Sequence, residues 1–320
     1  MTISAVCNIL FSWQTVKKIY AKRTRIPCRL LKNMTSGGSF RGAKMPRCCR
    51  KSPLPGRAKR TGVKNTTGSM TNHPDLPCAE LSAATFPKIN LTIMQDKSAF
   101  CFGIDAVLLS DFARVKNKAQ VFDLGSGNGI IPLLMSRTSQ ASHFTTLEIQ
   151  KEASALASLN VEKNQLEEKI QVVCGDIKDV RNLFPPEAAD VVTSNPPYAK
   201  ANAVRKNPNE SKNIARHEIL CNLEDVVSAA SYLLKSNGSF FMIHRPERLS
   251  EIFVMFAKYK LEPKTLQLVQ PYSDSAATMI LIEGRKNARP EIKILPTLVI
   301  YKSQGEYSES VKKIYEKFLA

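Results

Sequence analysis

Residues 191–200 read VVTSNPPYAK, so Asn195, Pro196, Pro197 and Tyr198 follow directly on an apolar run. Proline pairs poorly within a sheet, and a strand is expected to end here. Ending a strand requires neither an amide before the prolines nor an aromatic after them. Chemistry on a flat amino group does. The exocyclic amine of a purine is a poor nucleophile, because its lone pair is delocalised into the ring. Two acceptors placed for its two hydrogens draw it toward a tetrahedral shape and free that lone pair. The side-chain oxygen of Asn195 is one such acceptor and the backbone carbonyl of Pro196 the other. The two imino acids restrict the backbone that aims both. Tyr198 offers a flat face for a base, and such stacking is worth ~1–3 kcal/mol. Taken alone, the string also suits a Pro-Pro turn followed by a core tyrosine, so its partners decide.

The first partner is VFDLGSGNGII, residues 121–131, which reads strand, glycine loop, helix. Gly125, Gly127 and Gly129 alternate behind Asp123. A dinucleotide fingerprint would place glycine or alanine at position 130, where Ile130 stands, so hydride chemistry with a nicotinamide cofactor fits poorly. An acid at the strand end disfavours a phosphate neighbour and favours a cation. The common cationic nucleoside is S-adenosylmethionine, with its ammonium and sulfonium. Glu148 ends the next strand, 25 residues on, at the spacing of acids that bind ribose hydroxyls. Asp176 ends a third strand and is placed to accept from the adenine amine, with Ile177 packing on the ring. Three acids at successive strand ends line one crevice. Methyl transfer from sulfonium is an in-line displacement that needs the nucleophile ~3 Å from the methyl carbon, so positioning outweighs proton transfer.

These residues need a frame, and the chain supplies one. AQVFDL (119–124), FTTLEI (144–149), IQVVCGD (170–176), ADVVTS (189–194) and GSFFMIH (238–244) read as strands. KEASALASLNVEKNQL (151–166) has helical spacing. LEDVVSAASYLLKSNG reads as a helix closed by Gly238, and PERLSEIFVMFAKY (246–259) as one opened by proline. KTLQLVQ (264–270) and ATMILIEG (277–284) follow each other without a helix and suggest an antiparallel pair at one sheet edge. The expected fold is α/β, a mostly parallel sheet of seven strands with an antiparallel edge hairpin and helices on both faces.

Charge divides the 320 residues in two. Residues 1–74 hold 16 Lys and Arg and no acid, and so carry most of the formal net charge of +18. Of the 46 basic residues, 30 remain against 28 acids, a nearly neutral remainder. We therefore divide the chain into a basic, acid-poor extension, 1–85, too poor in apolar residues to order itself, and a folded domain, 86–320. Four readings of the extension stay open. It is a segment without a fold, or the product of a start codon set too far upstream, with Met70 and Met94 as later starts. It is a nonspecific RNA-binding arm. It is an organellar transit peptide. A secretory signal is least favoured, because the apolar stretch Ala5–Trp13 has no basic residue before it. Eight scattered cysteines without a CxxC pair, and four histidines, speak against a zinc site, so no metal is expected. No apolar run approaches the ~18 residues of a membrane helix.

With these motifs in place, the chain resembles the class I S-adenosylmethionine-dependent methyltransferases that carry an N-P-P-Y motif. More narrowly, it is similar to the bacterial methyltransferases acting on N6 of the purine 3′ of the anticodon in a valine tRNA. IMQDKSAFCFGIDAVLLSDF (93–112), ARHE (215–218), RPERL (245–249), LIEGRK (281–286) and GEY (305–307) carry the narrower match, which spans roughly 90–318. The family usually has Thr where Ile104 stands. The resemblance implies a Rossmann-like fold and a cofactor site of Gly103, Asp105, Asp123, Gly125, Gly127, Gly129, Glu148, Asp176, Ile177 and Asn195. It implies that Asn195, Pro196, Pro197 and Tyr198 hold the target amine. It also implies that the loop after Tyr198 meets RNA, through Lys200, Arg205, Lys206, Lys212 and Arg216. His217 in the same loop is assigned packing or capping. A cytoplasmic monomer acting on tRNA, without a membrane partner, is the expectation.

Two other functions compete. One is methylation of another planar amine or amide: a protein glutamine, an rRNA base or a DNA base. The lack of a separate target-recognition domain argues against DNA, and RPERL and LIEGRK argue against protein. The other is an RNA-binding protein without catalysis, against which the intact Asn195–Tyr198 string speaks.

Overall fold

Short runs rich in Val, Ile and Phe alternate with amphipathic runs, and each kind takes up the structure its period dictates. The computed structural model describes residues 81–96, 102–197 and 221–319. An antiparallel hairpin comes first, β1 (Leu81–Phe86) and β2 (Leu91–Asp96), followed by α1 (Ile104–Phe112). Then come β3 (Gln120–Leu124), α2 (Ile130–Thr138), β4 (His143–Glu148), α3 (Lys151–Lys163) and β5 (Ile170–Cys174). A 3-10 turn, Ile177–Asp179, leads into the short α4 (Val180–Leu183) and then β6 (Ala189–Ser194). The second half holds α5 (Leu223–Leu233), β7 (Leu234–His244), α6 (Leu249–Lys258), β8 (Leu261–Gln270) and β9 (Met279–Lys286). Four short strands, β10 (Lys293–Ile294), β11 (Leu298–Val299), β12 (Tyr301–Ser303) and β13 (Glu306–Tyr307), precede α7 (Glu309–Leu319).

The long strands lie in the order β8, β9, β7, β6, β3, β4, β5. Strands β3 to β7 are mutually parallel, and β9 runs antiparallel to both β7 and β8. This is the expected mostly parallel sheet with its antiparallel hairpin. The sheet itself has nine strands rather than seven, because the two-residue β10 and β11 pair in parallel with the outer edge of β8. Without them β8 would expose a row of unpaired backbone groups.

Both faces are buried, as a parallel sheet requires. Phe241 and Ile243 of β7 pack into one core with α1, α2, α3 and α7, while Phe240 and Met242 pack into the other with α5 and α6. The alternation puts Val121 on the first face and Phe122 and Leu124 on the second. Among the described residues, no helix is long and apolar enough to cross a membrane.

Two boundaries differ from the sequence reading. The expected domain start at residue 86 cuts through β1, whose Ala84 and Phe86 are already buried. Phe86 packs against Phe102 and Phe318, which ties the strand to the main body. The expected helix stop at Gly238 is also wrong. Helix α5 ends at Leu233, and Leu234 already pairs with Ala189 on β6. A register shift follows, in which Asn237, not Gly238, takes the left-handed backbone (φ 63°). Gly238 is needed there for space: a Cβ would lie 2.9 Å from Leu234 Cδ2 and 3.1 Å from the Asp190 carbonyl.

Candidate active site

The carboxyl ends of β3, β4, β5 and β6 form one rim, because these four strands are parallel and adjacent. Their register sets Asp123 between Thr146 on β4 and Thr193 on β6. Asp123 is 1% exposed. Its Oδ1 accepts a hydrogen bond from Thr193 Oγ1 at 2.6 Å. Its Oδ2 is buried with no hydrogen-bond partner among the described residues. Burial pushes the Asp123 pKa up to about 7; the Thr193 bond opposes this and the charge of Glu148 adds to it.

After β3 the chain turns back on itself through three left-handed glycines, Gly125 (φ 70°), Gly127 (φ 55°) and Gly129 (φ 81°). Such backbone is strained for any residue with a Cβ. A Cβ at Gly125 or Gly127 would meet nothing within 4 Å, so the loop borders open space. Gly125 N–H donates to the Leu147 carbonyl at 2.8 Å, and Gly129 starts α2.

Glu148, expected to bind ribose, makes two contacts to the protein's own backbone. Its Oε2 accepts from Gly127 N–H at 2.8 Å, and its Oε1 accepts from Gln150 N–H at 2.9 Å. The carboxylate therefore ties the glycine loop to the start of α3. Two oxygens offer about four lone-pair sites, which leaves capacity for a ligand hydroxyl. Asp176 is half-buried and caps the 3-10 turn by accepting from Lys178 N–H at 2.9 Å, with Ile177 buried behind it. Cys221, just before α5, lies close enough to feel both acids. Burial first, then the charges of Asp225, Asp176 and Glu148, push its thiol up to about 12.

At the end of β6, Pro196 is buried and Pro197 exposed. Asn195 Nδ2 donates to Asp105 Oδ2 at 3.0 Å. Asp105 sits in the first turn of α1, behind the exposed Gly103 that begins the helix. Asp105 and Asn195 thus meet across 90 residues of sequence. Tyr198, Lys200, Arg205, Lys206, Lys212, Arg216 and His217 lie outside the described residues.

Sequence reasoning missed the residues that hold the glycine loop from behind. Asn160 on α3 is 0% exposed. Its Oδ1 accepts from Met94 N–H (2.7 Å), and its Nδ2 donates to the carbonyls of Met94 (3.1 Å) and Asn128 (3.0 Å). Asn164, one turn on, accepts from Thr92 N–H (2.8 Å) and donates to the Thr92 carbonyl (2.7 Å). The edge of β2 that β1 does not use is thereby paired with helix side chains. A signal was present in the sequence: two asparagines four apart, within the apolar spacing of a helix.

The residues present fit a cationic nucleoside. Asp123 Oδ2 and Thr146 Oγ1, on neighbouring strands, and Ser126 Oγ and Asn128 Nδ2, in the glycine loop, are buried polar atoms without hydrogen-bond partners among the described residues. Such atoms call for a ligand or water to satisfy them. Among the described residues no three His, Cys, Asp or Glu side chains converge as a metal site would need.

Comparison with known proteins finds both a family and relatives. A protein of Bacteroides fragilis (strain YCH46) named tRNA1(Val) (adenine(37)-N6)-methyltransferase is 29% identical over 240 residues, 74% of this chain and 100% of that protein. A protein of the same name from Porphyromonas gingivalis is 28% identical, over 71% of this chain and 91% of its own length. Among solved structures, a predicted O-methyltransferase from Agrobacterium tumefaciens superposes with a TM-score of 0.54 at 20% identity, covering 68% of this chain and 97% of that one. That likeness concerns the fold alone. The sequence profile of the methyltransferase small domain matches residues 90–255, more than half of the chain, from the second strand of the hairpin into α6. The chain belongs to the methyltransferase small domain family.

Proposed function

We propose that this protein transfers the methyl group of S-adenosylmethionine to the exocyclic N6 amine of an adenine in RNA, and that the adenine is the purine 3′ of the anticodon of a valine tRNA. The observation that carries the reading is the placement of Asn195. It ends β6 beside β3, next to the acid-lined glycine loop, with its amide nitrogen engaged by Asp105. The names of the relatives support the RNA substrate and the target base.

Asp123, the glycine loop, Glu148 and Asp176 with Ile177 hold the cofactor. When bound, it supplies an electrophilic methyl group on a sulfonium. Asn195 Oδ1 and the Pro196 carbonyl accept the two N6 hydrogens and hold the amine on line with that methyl group. The amine grows acidic as it gains carbon, so no strong general base is needed. Tyr198 stacks on the adenine. Lys200, Arg205, Lys206, Lys212 and Arg216 hold the RNA backbone. On this reading the enzyme works on tRNA in the cytoplasm.

The test is transfer of tritiated methyl from S-adenosylmethionine to total tRNA, followed by nucleoside analysis. Label in N6-methyladenosine of a valine tRNA is expected. Label confined to protein, or to another nucleoside, would refute the assignment.

A further inference from the structure

An asparagine amide is nearly symmetric in shape. Rotated by half a turn, Asn195 would fill the same space and present two N–H donors where the reading above requires an acceptor. A donor there would repel the N6 hydrogens of the target. Some group must therefore choose the sense of the amide, and the prolines cannot, because they restrict the backbone and not the side-chain torsion.

We propose that Asp105 is that group: a positioning residue that fixes which face of Asn195 meets the substrate. The proposal rests on the role given to Asn195 above. A carboxylate only accepts. Asp105 Oδ2 accepts from Asn195 Nδ2 at 3.0 Å, so the amide oxygen faces away from Asp105. Asp105 is itself held. Its Oδ1 accepts from Ala106 N–H at 3.0 Å in the first turn of α1, where the helix dipole favours an acid. Asp105 is 8% exposed, which limits competition from water for its bond. The backbone leaves room for this placement only at a glycine, since a Cβ on Gly103 would come within 2.7 Å of Asp105 Oδ1. This role differs from the cofactor contact that the family resemblance assigns to Asp105.

The arrangement makes a sharp prediction for Asp105→Asn. Ala106 N–H is a fixed donor and retains the introduced carbonyl. The introduced NH2 then points at Asn195, which must turn its oxygen toward it and its own NH2 toward the substrate. The isosteric change should lower kcat by about 100-fold and leave the KM for S-adenosylmethionine unchanged. The reciprocal swap, Asp105→Asn with Asn195→Asp, restores one donor facing one carboxylate and leaves an acceptor oxygen on the substrate side. It should recover kcat by about tenfold over the single variant.

A loss of S-adenosylhomocysteine affinity with kcat retained would overturn the proposal and make Asp105 a cofactor ligand. A swap no more active than Asp105→Asn would also overturn it. A second readout is independent of both activity and the variants' folding. In 15N–1H spectra of the wild-type chain, the Asn195 side-chain amide should exchange slowly and resonate downfield; an ordinary, fast-exchanging signal would overturn the proposal. If the wild type methylates no RNA while that amide signal is protected, the methylation reading fails and the positioning contact stands.

Discussion

Thr193 on β6 donates its hydroxyl to Asp123 on β3 at 2.6 Å, and this bond is what partly offsets the burial of the acid at the heart of the crevice. The two residues are direct neighbours in the parallel register. The Asp123 pKa is raised from 3.8 to about 7. A raised acid stabilises the fold when protonated. That contribution is fully present below pH ~4 and is lost as pH rises through about 7, on the order of 4 kcal/mol in all. The ligand-free protein should therefore lose stability between pH 4 and 7.5 with a component that Asp123→Asn abolishes, as read by Tm against pH. A cationic ligand should draw the proton off. S-adenosylmethionine binding near pH 6.5 should release protons, measurable by calorimetry in buffers of different ionisation enthalpy. Thr193→Val should weaken binding at pH 7 by about tenfold, in line with loss of a hydrogen bond to a charged group. Binding without proton release would contradict the environment described for Asp123.

Gly127 separates conformational strain from occupied space. Gly127→Ala meets no atom within 4 Å, yet its φ of 55° is left-handed. Stability should fall by only ~1–2 kcal/mol. The new methyl group projects into the crevice, so affinity for S-adenosylhomocysteine should fall far more than the Tm. A variant that unfolds more easily but binds as well as wild type would show that the loop faces elsewhere.

Asn160 is the buried link between α3, β2 and the glycine loop. Asn160→Ala strands Met94 N–H and the Met94 and Asn128 carbonyls. These groups are part-buried, so their combined loss is expected to cost about 1–3 kcal/mol on denaturant titration, the range for one fully buried group left unpaired. Hydrogen exchange should quicken at the Met94 amide before it does so in β3. Uniform loss of protection would argue that the hairpin and the sheet unfold together.

Asn195→Ala should bind S-adenosylhomocysteine as the wild type does and transfer no detectable methyl group to tRNA. The readouts are calorimetry and label incorporation. Loss of cofactor affinity would count against the amine-holding role.

The loop after Tyr198 is assigned to RNA by its charge. Replacing Arg205 and Lys206 together with alanine should weaken tRNA binding and reduce the salt slope by about 2, roughly one per phosphate contact. An unchanged slope would remove the loop from the RNA site.

What the sequence determined by itself was local. Asp123, Glu148 and Asp176 stand at strand ends because period-two apolar runs and glycine punctuation are written over a few residues. The rigid Asn195-Pro196-Pro197 exit from β6 was legible for the same reason. The tertiary structure alone decided the contacts that cross the chain. Asp105 meets Asn195, and Thr193 meets Asp123, only because sheet register and the packing of α1 bring together positions 90 and 70 residues apart. The stop of α5 at Leu233 and the added strands β10 and β11 were equally hidden. A two-residue strand has no period to read, and a helix end set by pairing across to Ala189 leaves no mark in the residues of the helix itself.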